Sequence, residues 1–90
     1  MHFHRLDLNL LVALNALLTE RSITRAAERL HLSPSATSGA LARLREFFDD
    51  ELLIQIGRRM LPTPLGESLE APVRECLLHI QATVEIKPTF

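Results

Sequence analysis

Residues 22–48, SITRAAERLHLSPSATSGALARLREFF, decide the fold of this chain. Apolar residues fall first at Ile23, Ala26, Ala27 and Leu30, which is the spacing of one face of a short helix. Ser22 stands just before that face, where a serine hydroxyl can cap the exposed N–H groups of the first turn. The pattern predicts a short helix that begins after Ser22 and ends near Leu30.

A second helix start follows after a few residues. Ser33 is placed as an N-cap and Pro34 as the first helical residue, where its missing N–H costs no hydrogen bond. The apolar face of this second helix consists of Ala40, Leu41, Leu44, Phe47 and Phe48. Two helices joined by residues 31–33 form a helix-turn-helix, and the small pair at 26–27 allows them to cross closely.

The outward face of the second helix indicates what the motif contacts. It carries short, uncharged residues instead of the Glu, Lys and Gln of a solvated face: Pro34, Ser35, Ser38, Gly39 and Ala42. Between residues 21 and 45 there are five arginines and one glutamate, a local charge of +4 (5 − 1). The arginines are Arg21, Arg25, Arg29, Arg43 and Arg45. Because arginines hold phosphates while short side chains meet base edges, the pattern favours a DNA major groove over a protein surface.

The motif also has a family likeness. The run A-A-x-x-L-x-x-S-x-S-A-x-S, formed by Ala26, Ala27, Leu30, Ser33, Ser35, Ala36 and Ser38, resembles the helix-turn-helix of LysR-type transcriptional regulators. Residues 6–11 (LDLNLL) and 62–67 (PTPLGE) are similar to that family too, and together these segments resemble its branch of nodulation and aromatic-degradation regulators. Four positions depart from the family pattern: Pro34 stands where a DNA-contacting Gln is usual, Thr37 where a larger apolar residue is usual, and Leu53 and Gln55 where Phe and Arg are common.

After Phe48 the apolar pattern changes period. Residues 52–56 (LLIQI) are β-prone, Gly57 permits a turn, and residues 58–61 (RRML) return. We predict a short hairpin, the wing of a winged helix, with Arg58 and Arg59 at or just after its tip. From there they can reach backbone phosphates or the narrow minor groove, although simple solvation would also explain two exposed arginines.

We divide the DNA contacts into two predicted sets. The base-reading set is the outward face of the second helix: Pro34, Ser35, Ser38, Gly39 and Ala42. The set that contacts the DNA backbone is Ser22, Thr24, Arg25, Ser33, Arg43, Arg45, Arg58 and Arg59.

Two further helices flank the motif and the wing. Asp7 is placed to cap a helix that runs to about Glu20. This helix is apolar nearly all round, so we expect the helix-turn-helix to cover one side, and the C-terminal helix or a second subunit to cover the other. Thr63 as cap and Pro64 as first residue predict a last helix to about residue 86, with a kink or a late start allowed by Pro72.

The last helix carries an apolar seam too long for so small a body to bury, which favours pairing with a second copy. The resemblance implies the same, because LysR-type linker helices dimerise. We assign to the dimer interface Leu10, Leu14, Leu17, Leu69, Val73, Cys76, Leu77, Ile80 and Val84. We expect Pro88 to stop the helix.

The predicted fold is mainly α: a winged helix-turn-helix of three helices and a short hairpin, followed by a long linker helix for dimerisation. Its predicted division is a DNA-binding domain at 1–62 and a linker helix at 63–87. Residues 88–90 are then the start of a missing effector-binding domain, as the resemblance implies, so we expect the chain to be a fragment.

Composition narrows the function. Ninety residues, 47% of them apolar, suit one small domain. The net charge of −1 gives no overall basic signal, so DNA binding rests on where the arginines lie.

The single cysteine, Cys76, excludes an internal disulfide, fits a reducing cytosol and is predicted to be a core or interface residue. No apolar run approaches the ~20 residues of a membrane span. His2 and His4 alone make a weak metal site, so we expect neither metal nor cofactor.

The predicted function is sequence-specific binding of double-stranded DNA, as a dimer on an inverted-repeat operator, in the bacterial cytoplasm. The resemblance implies a tetramer in the full-length protein and a small-molecule effector that binds only the missing domain. The alternative is a winged-helix module that binds protein without specific DNA binding. The chain has no Gly-rich phosphate loop, metal-ligand cluster or Ser, His and acid grouping that would indicate an enzyme.

Overall fold

The structure, a computed structural model, describes residues 6–86. Over this range the order of elements is α1 (Leu8–Glu20), α2 (Ile23–Leu30), α3 (Pro34–Phe48), β1 (Leu53–Ile56), β2 (Arg59–Pro62) and α4 (Pro64–Val84). The two strands pair antiparallel. The predicted winged helix-turn-helix followed by a long helix is therefore confirmed. The predictions for His2 and His4, Pro88 and residues 88–90 lie outside the described residues.

Each helix begins at the cap that the sequence indicates. The side-chain oxygens of Asp7, Ser22, Ser33 and Thr63 accept hydrogen bonds from the N–H groups of Asn9, Arg25, Ala36 and Gly66, at 2.8, 3.2, 3.0 and 3.0 Å. These bonds satisfy N–H groups that the first helical turn leaves without a backbone partner. The first three helices then end at left-handed residues other than glycine, Arg21, His31 and Asp49, with φ of 52°, 58° and 51°.

Helix α1 lies at the centre of the core and packs against α2, α3 and α4. Leu14 and Leu17 are fully buried within the single chain, and Leu10 and Val73 are only 7% and 6% exposed. The assignment of these four residues to the dimer interface is therefore wrong. The physical reason is that α4 of the same chain lies along α1 and covers the side that the sequence left open between two partners.

Helix α4 has a covered first part and an exposed outer end. Leu65, Leu69 and Leu77 pack, partly buried, against the core. Beyond them Leu78 and Val84 are 57% and 74% exposed. The helix continues through Pro72, which lies on its exposed side, and ends at Val84, two residues before the predicted end. Cys76 is exposed, so of its two predicted places the core is excluded, and a place in an interface stays a prediction.

The start of α4 is fastened to the base of the wing. The Oδ1 atom of Asp50 accepts hydrogen bonds from the Thr63 hydroxyl at 2.6 Å and from the Leu52 N–H at 2.7 Å. The Thr63 N–H donates to the Leu52 carbonyl oxygen at 2.9 Å. The bond from Thr63, followed by that from Leu52, lowers the pKa of Asp50 against a small opposing effect of burial. A Cβ atom on Gly66 would collide with the Leu52 carbonyl oxygen, so the helix backbone directly contacts the loop backbone.

Candidate nucleic-acid interface

The core fixes which face of α3 turns outward. Leu44 is fully buried and Leu41 is 3% exposed, so these two side chains anchor the inner face. All five residues of the predicted base-reading set are exposed. Their predicted exposure is confirmed, and their contact with bases stays a prediction.

Thr37 is a buried residue that the sequence did not reveal as part of the core. Its side chain is fully buried, and its hydroxyl donates to the Ser33 carbonyl oxygen at 3.0 Å. Because the hydroxyl is satisfied within its own helix, burial of this polar group costs little. Thr37 therefore occupies an apolar position of α3 without loosening the start of the helix.

Gly39 lies in the interior of α3, where the chain's own packing gives no reason for a glycine. A Cβ atom at this position would meet nothing within 4 Å. Alanine is favoured over glycine in a helix interior by about 1 kcal/mol. The missing side chain therefore leaves room on the outward face for an approaching surface.

Several predicted arginines are engaged by the protein itself. Arg29 pairs with Glu20 at 3.2 Å and Arg21 pairs more loosely with Glu70 at 3.8 Å. Arg45 donates from Nε and Nη2 to the carbonyl oxygens of residues 51 and 53, at 2.8 and 2.7 Å. Those carbonyls lie at the base of the wing, so the structure gives Arg45 a role in holding the wing to α3. This role speaks against the predicted contact of Arg45 with the DNA backbone.

The wing has the predicted hairpin geometry. Ile56 and Arg59 are the last paired residues, and the loop between them is Gly57-Arg58. Gly57 has a φ of 64°, at the first central position of a two-residue hairpin loop, where glycine is favoured. Arg58 and Arg59 are both exposed at this tip.

An open cleft lies between the α1–α2 turn and the wing, and we call it the arginine cleft. Its lining residues are Glu20, Arg21, Ser22 and Arg25 on one side, and Arg58, Arg59, Met60 and Leu61 on the other. The structure thus brings together four members of the predicted backbone-contacting set and adds Arg21, which that set lacked. Arg43 is exposed on α3 and does not line the cleft. No local sequence signal places Arg21 beside the wing, because the two segments meet only through the tertiary fold.

Among the four cleft arginines, only Arg21 has a carboxylate partner within residues 6–86, Glu70 at 3.8 Å. No carboxylate of residues 6–86 comes within 4.0 Å of the guanidinium groups of Arg25, Arg58 or Arg59. In the same range, no group of three or more His, Cys, Asp or Glu residues could hold a metal ion. The cleft therefore presents cationic donors without a neutralising acidic cluster.

None of the helices between residues 6 and 86 has the length and apolarity needed to cross a membrane.

An exposed helix of small side chains, flanking arginines and a hairpin wing together define a winged helix-turn-helix domain. A family profile described as "Bacterial regulatory helix-turn-helix protein, lysR family" matches residues 8–67. The chain belongs to this lysR family of bacterial regulators, as its sequence predicted. It is a DNA-binding domain of a transcription regulator, and the family that the profile describes is one of regulators, not of enzymes.

Relatives of known name support this placement. The chain is 56% identical over 90 residues to nodulation protein D 1 of Bradyrhizobium sp. (strain NC92), covering 100% of this chain and 29% of that protein. It is 57% identical over 84 residues to nodulation protein D 1 of Rhizobium meliloti (strain 1021), covering 93% of this chain and 27% of that protein. The chain therefore spans less than a third of the length of these relatives.

Solved structures agree. A "probable transcriptional regulator" from Pseudomonas aeruginosa superposes with a TM-score of 0.86 at 44% identity, over 92% of this chain and 28% of that one. The BenM DNA-binding domain in complex with catB site 1 DNA superposes with a TM-score of 0.82 at 25% identity, over 88% of this chain and 89% of that one. The second neighbour shows that a domain of this fold was solved on DNA.

Proposed function

We propose that the chain binds double-stranded operator DNA as a dimer, with α3 of each copy in the major groove of one half of an inverted repeat. The observation that carries this proposal is the outward face of α3, which is exposed, short-sided and uncharged on a helix with a firmly buried inner face. Two-fold symmetry of the dimer then matches two-fold symmetry of the operator.

The centre of the outward face of α3 contacts the bases. Ser35 and Ser38 carry hydroxyl groups that both donate and accept, so they contact base edges directly or through ordered water. Gly39 and Ala42 let the helix approach the bases closely, which gives a function to the glycine that internal packing leaves unexplained. Pro34 lies at the start of the helix and offers only apolar contact.

Backbone contacts hold the helix in place. The remaining members of this set are Ser22, Thr24, Arg25, Ser33, Arg43, Arg58 and Arg59. The hydroxyl oxygens of Ser22 and Ser33 already accept capping bonds, so each retains its hydrogen for a phosphate oxygen. The arginines neutralise phosphates and make the affinity depend on salt.

The proposed dimer forms through apolar residues that the core of one copy leaves wholly or partly exposed. The remaining candidates on α4 are Leu69, Cys76, Leu77, Ile80 and Val84. On α1, Leu8 and Val12 are two further exposed apolar side chains, at 58% and 42%. We place this dimer in the cytoplasm, with the DNA. Effector binding and a tetramer stay predictions for a longer protein.

Selection from a pool of random duplexes, followed by sequencing of the bound fraction, tests the proposal. We expect enrichment of an inverted repeat whose half-sites are spaced by about one helical turn of DNA, roughly 10 base pairs, or a multiple of it. A pool without an enriched motif would overturn it. The same result, with affinity no greater than that of any weakly basic surface, would favour the protein-binding alternative.

A further inference from the structure

Arg45 binds the protein backbone at the point where the chain passes from α3 into the wing. Its Nε donates to the carbonyl oxygen of Glu51 at 2.8 Å, and its Nη2 donates to that of Leu53 at 2.7 Å. Because a guanidinium group is planar and holds its donors in a rigid fork, two such bonds orient their acceptors as well as attract them. The ion pair between Arg45 and the exposed Glu51 carboxylate, at 3.3 Å, adds little. Arg45 therefore directs the path of the backbone more than it balances a charge.

The two bonds from Arg45 enclose a residue with an unfavourable backbone conformation. Leu52 has a φ of 65°, in the left-handed region that a leucine rarely adopts. Its N–H donates to the Asp50 Oδ1 atom at 2.7 Å, while Arg45 holds the carbonyl oxygens of the residues on either side. Leu52 and Leu53 are both fully buried. The chain thus turns into the wing without a glycine, in a conformation that these hydrogen bonds select.

The wing projects from the body of the domain beyond this turn. Leu53 is buried, whereas the other three residues of β1 are exposed. Gly57 in the tip lies four residues beyond Leu53, about 13 Å at roughly 3.3 Å per residue. A swing of roughly 20° at the base would move the tip by about 4–5 Å, which exceeds the length of a hydrogen bond. The conformation of the base therefore decides which atoms of the DNA the wing tip can reach.

We propose that Arg45 is a positioning residue that sets the angle between the wing and α3. It thereby sets the separation between the bases that α3 reads and the backbone that Arg58 and Arg59 contact. This inference rests on the proposed function, which supplies both of these contacts. Arg45 acts through the wing and not through a contact of its own with DNA. The span of each half-site is then governed by a residue that faces the protein.

A double-mutant cycle on DNA tests this role. Replacing Arg58 and Arg59 together by alanine should weaken the binding of otherwise wild-type protein to a random-sequence duplex by about 5-fold or more. In an Arg45→Met background the same pair of substitutions should cost less than about 2-fold, because a wing released from α3 no longer presents its tip to the backbone. The cycle divides out any direct effect of the Arg45 charge. Fluorescence anisotropy at fixed salt measures all four proteins.

Base reading by α3 distinguishes positioning of the wing from general support of the fold. Leu41 and Leu44 anchor the inner face of α3 in the core. Ser38→Ala should therefore still weaken operator binding by about 5-fold in the Arg45→Met background. If the Ser38 effect disappears together with the wing-tip effect, Arg45 supports the whole domain and the proposal is overturned.

Two matched variants isolate the bonds to the backbone. Arg74→Met removes the same charge from an exposed position on α4. Glu51→Gln removes the exposed ion-pair partner of Arg45 and keeps the carbonyl oxygen that Arg45 binds. In both backgrounds the effect of the wing-tip substitutions should equal its wild-type value within about 2-fold. An equally unchanged effect in the Arg45→Met background would overturn the proposal.

The protein without DNA gives a second measurement. Residual dipolar couplings of backbone N–H groups report the orientation of the wing relative to the helices. In Arg45→Met the couplings of residues 54–61 should no longer fit the wild-type structure, while those of the four helices should still fit. Wing couplings that fit would overturn the proposal, and so would helix couplings that do not. A wild-type protein that binds no duplex would instead overturn the proposed function, and the couplings would still show whether Arg45 orients the wing.

Discussion

The outward face of α3 and the outer end of α4 are both exposed, but they differ in chemistry. The α3 face carries serine, glycine and alanine with arginines nearby, whereas the apolar seam at the outer end of α4 ends in Val84, which is 74% exposed. The same core anchors both helices. Exposure alone therefore does not define a site: small polar residues beside cations suit nucleic acid, and exposed apolar side chains suit a second protein copy.

The largest expected effect comes from a substitution on the apolar seam of α4. Ile80 is partly exposed on the apolar seam, and Ile80→Asp places a charge at the proposed contact between copies. We expect a monomer whose affinity for operator DNA falls about 100-fold or more, because the two half-sites are no longer bound by one linked pair. Sedimentation velocity and anisotropy measure the two consequences.

Ala82→Asp is the control for this substitution. Ala82 is exposed, and at roughly 100° per residue it lies nearly opposite Ile80 on the helix. It adds the same charge and should leave the dimer intact. A wild-type protein that sediments as a monomer at tens of micromolar, about the range where such a contact should form, would contradict dimerisation.

The next effect concerns contacts that hold the DNA backbone and do not read the base sequence. Replacing Arg58 and Arg59 together by alanine should weaken operator and random DNA by the same factor. The slope of log affinity against log salt should fall by roughly 0.9 for each phosphate that the variant no longer neutralises. A salt titration on both DNAs measures this. Full retention of the slope would show that the wing tip does not touch phosphates.

Ser38→Ala tests the outward face of α3, which we propose contacts the bases. Removal of one hydrogen bond to a base edge costs on the order of 1 kcal/mol, about a 5-fold decrease in affinity for operator DNA. The salt slope and the affinity for random DNA should stay unchanged. Ser68→Ala is the control, because the Ser68 hydroxyl donates within α4, to the Pro64 carbonyl oxygen at 2.6 Å. Equal decreases for Ser38→Ala on both DNAs would assign Ser38 to the backbone instead.

The smallest expected effect is on the pH dependence of stability, and it involves Asp50, which lies between α3 and α4. Hydrogen bonds from Thr63 and Leu52 lower the pKa of folded Asp50 below its usual 3.8. The resulting stabilisation is fully present above the usual pKa and is lost as the pH falls below 3.8 through the lowered value. Asp50→Asn keeps an acceptor oxygen but cannot titrate. Thermal melts should therefore show a smaller drop in Tm from about pH 5 to about pH 3 in the variant, and equal drops would contradict this role.

Local chemistry allowed the element boundaries to be predicted from the sequence. Ser22, Ser33 and Thr63 cap their helices through bonds to backbone only a few residues away, so no tertiary information is needed to place them. The hairpin turn at Gly57 is equally local. The outward face of α3 followed from the same helical periodicity.

The sequence was a poor guide wherever a side chain meets a segment that is distant in sequence. Leu14 and Leu17 have the periodicity of an interface, and periodicity does not say whether the covering helix belongs to the same chain. The charge of Arg45 predicts a phosphate contact, and the sequence does not show that its Nε and Nη2 donate to the carbonyl oxygens of residues 51 and 53, at the start of the wing. The link from Asp50 to Thr63 spans 13 residues and has no sequence signature. Tertiary packing decided each of these outcomes.

The glycine at position 66 has a mechanical consequence. Because no side chain separates the backbone of α4 from Leu52, the start of α4 and the base of the wing form one rigid joint. Leu69, Val73 and Leu77 fasten the next turns of the helix to the core, so its free part begins only after Leu77. That part, residues 78–84, extends for about 10 Å. A pull on the outer end of α4 therefore reaches the wing through the packed core and this joint, with no flexible linker between them.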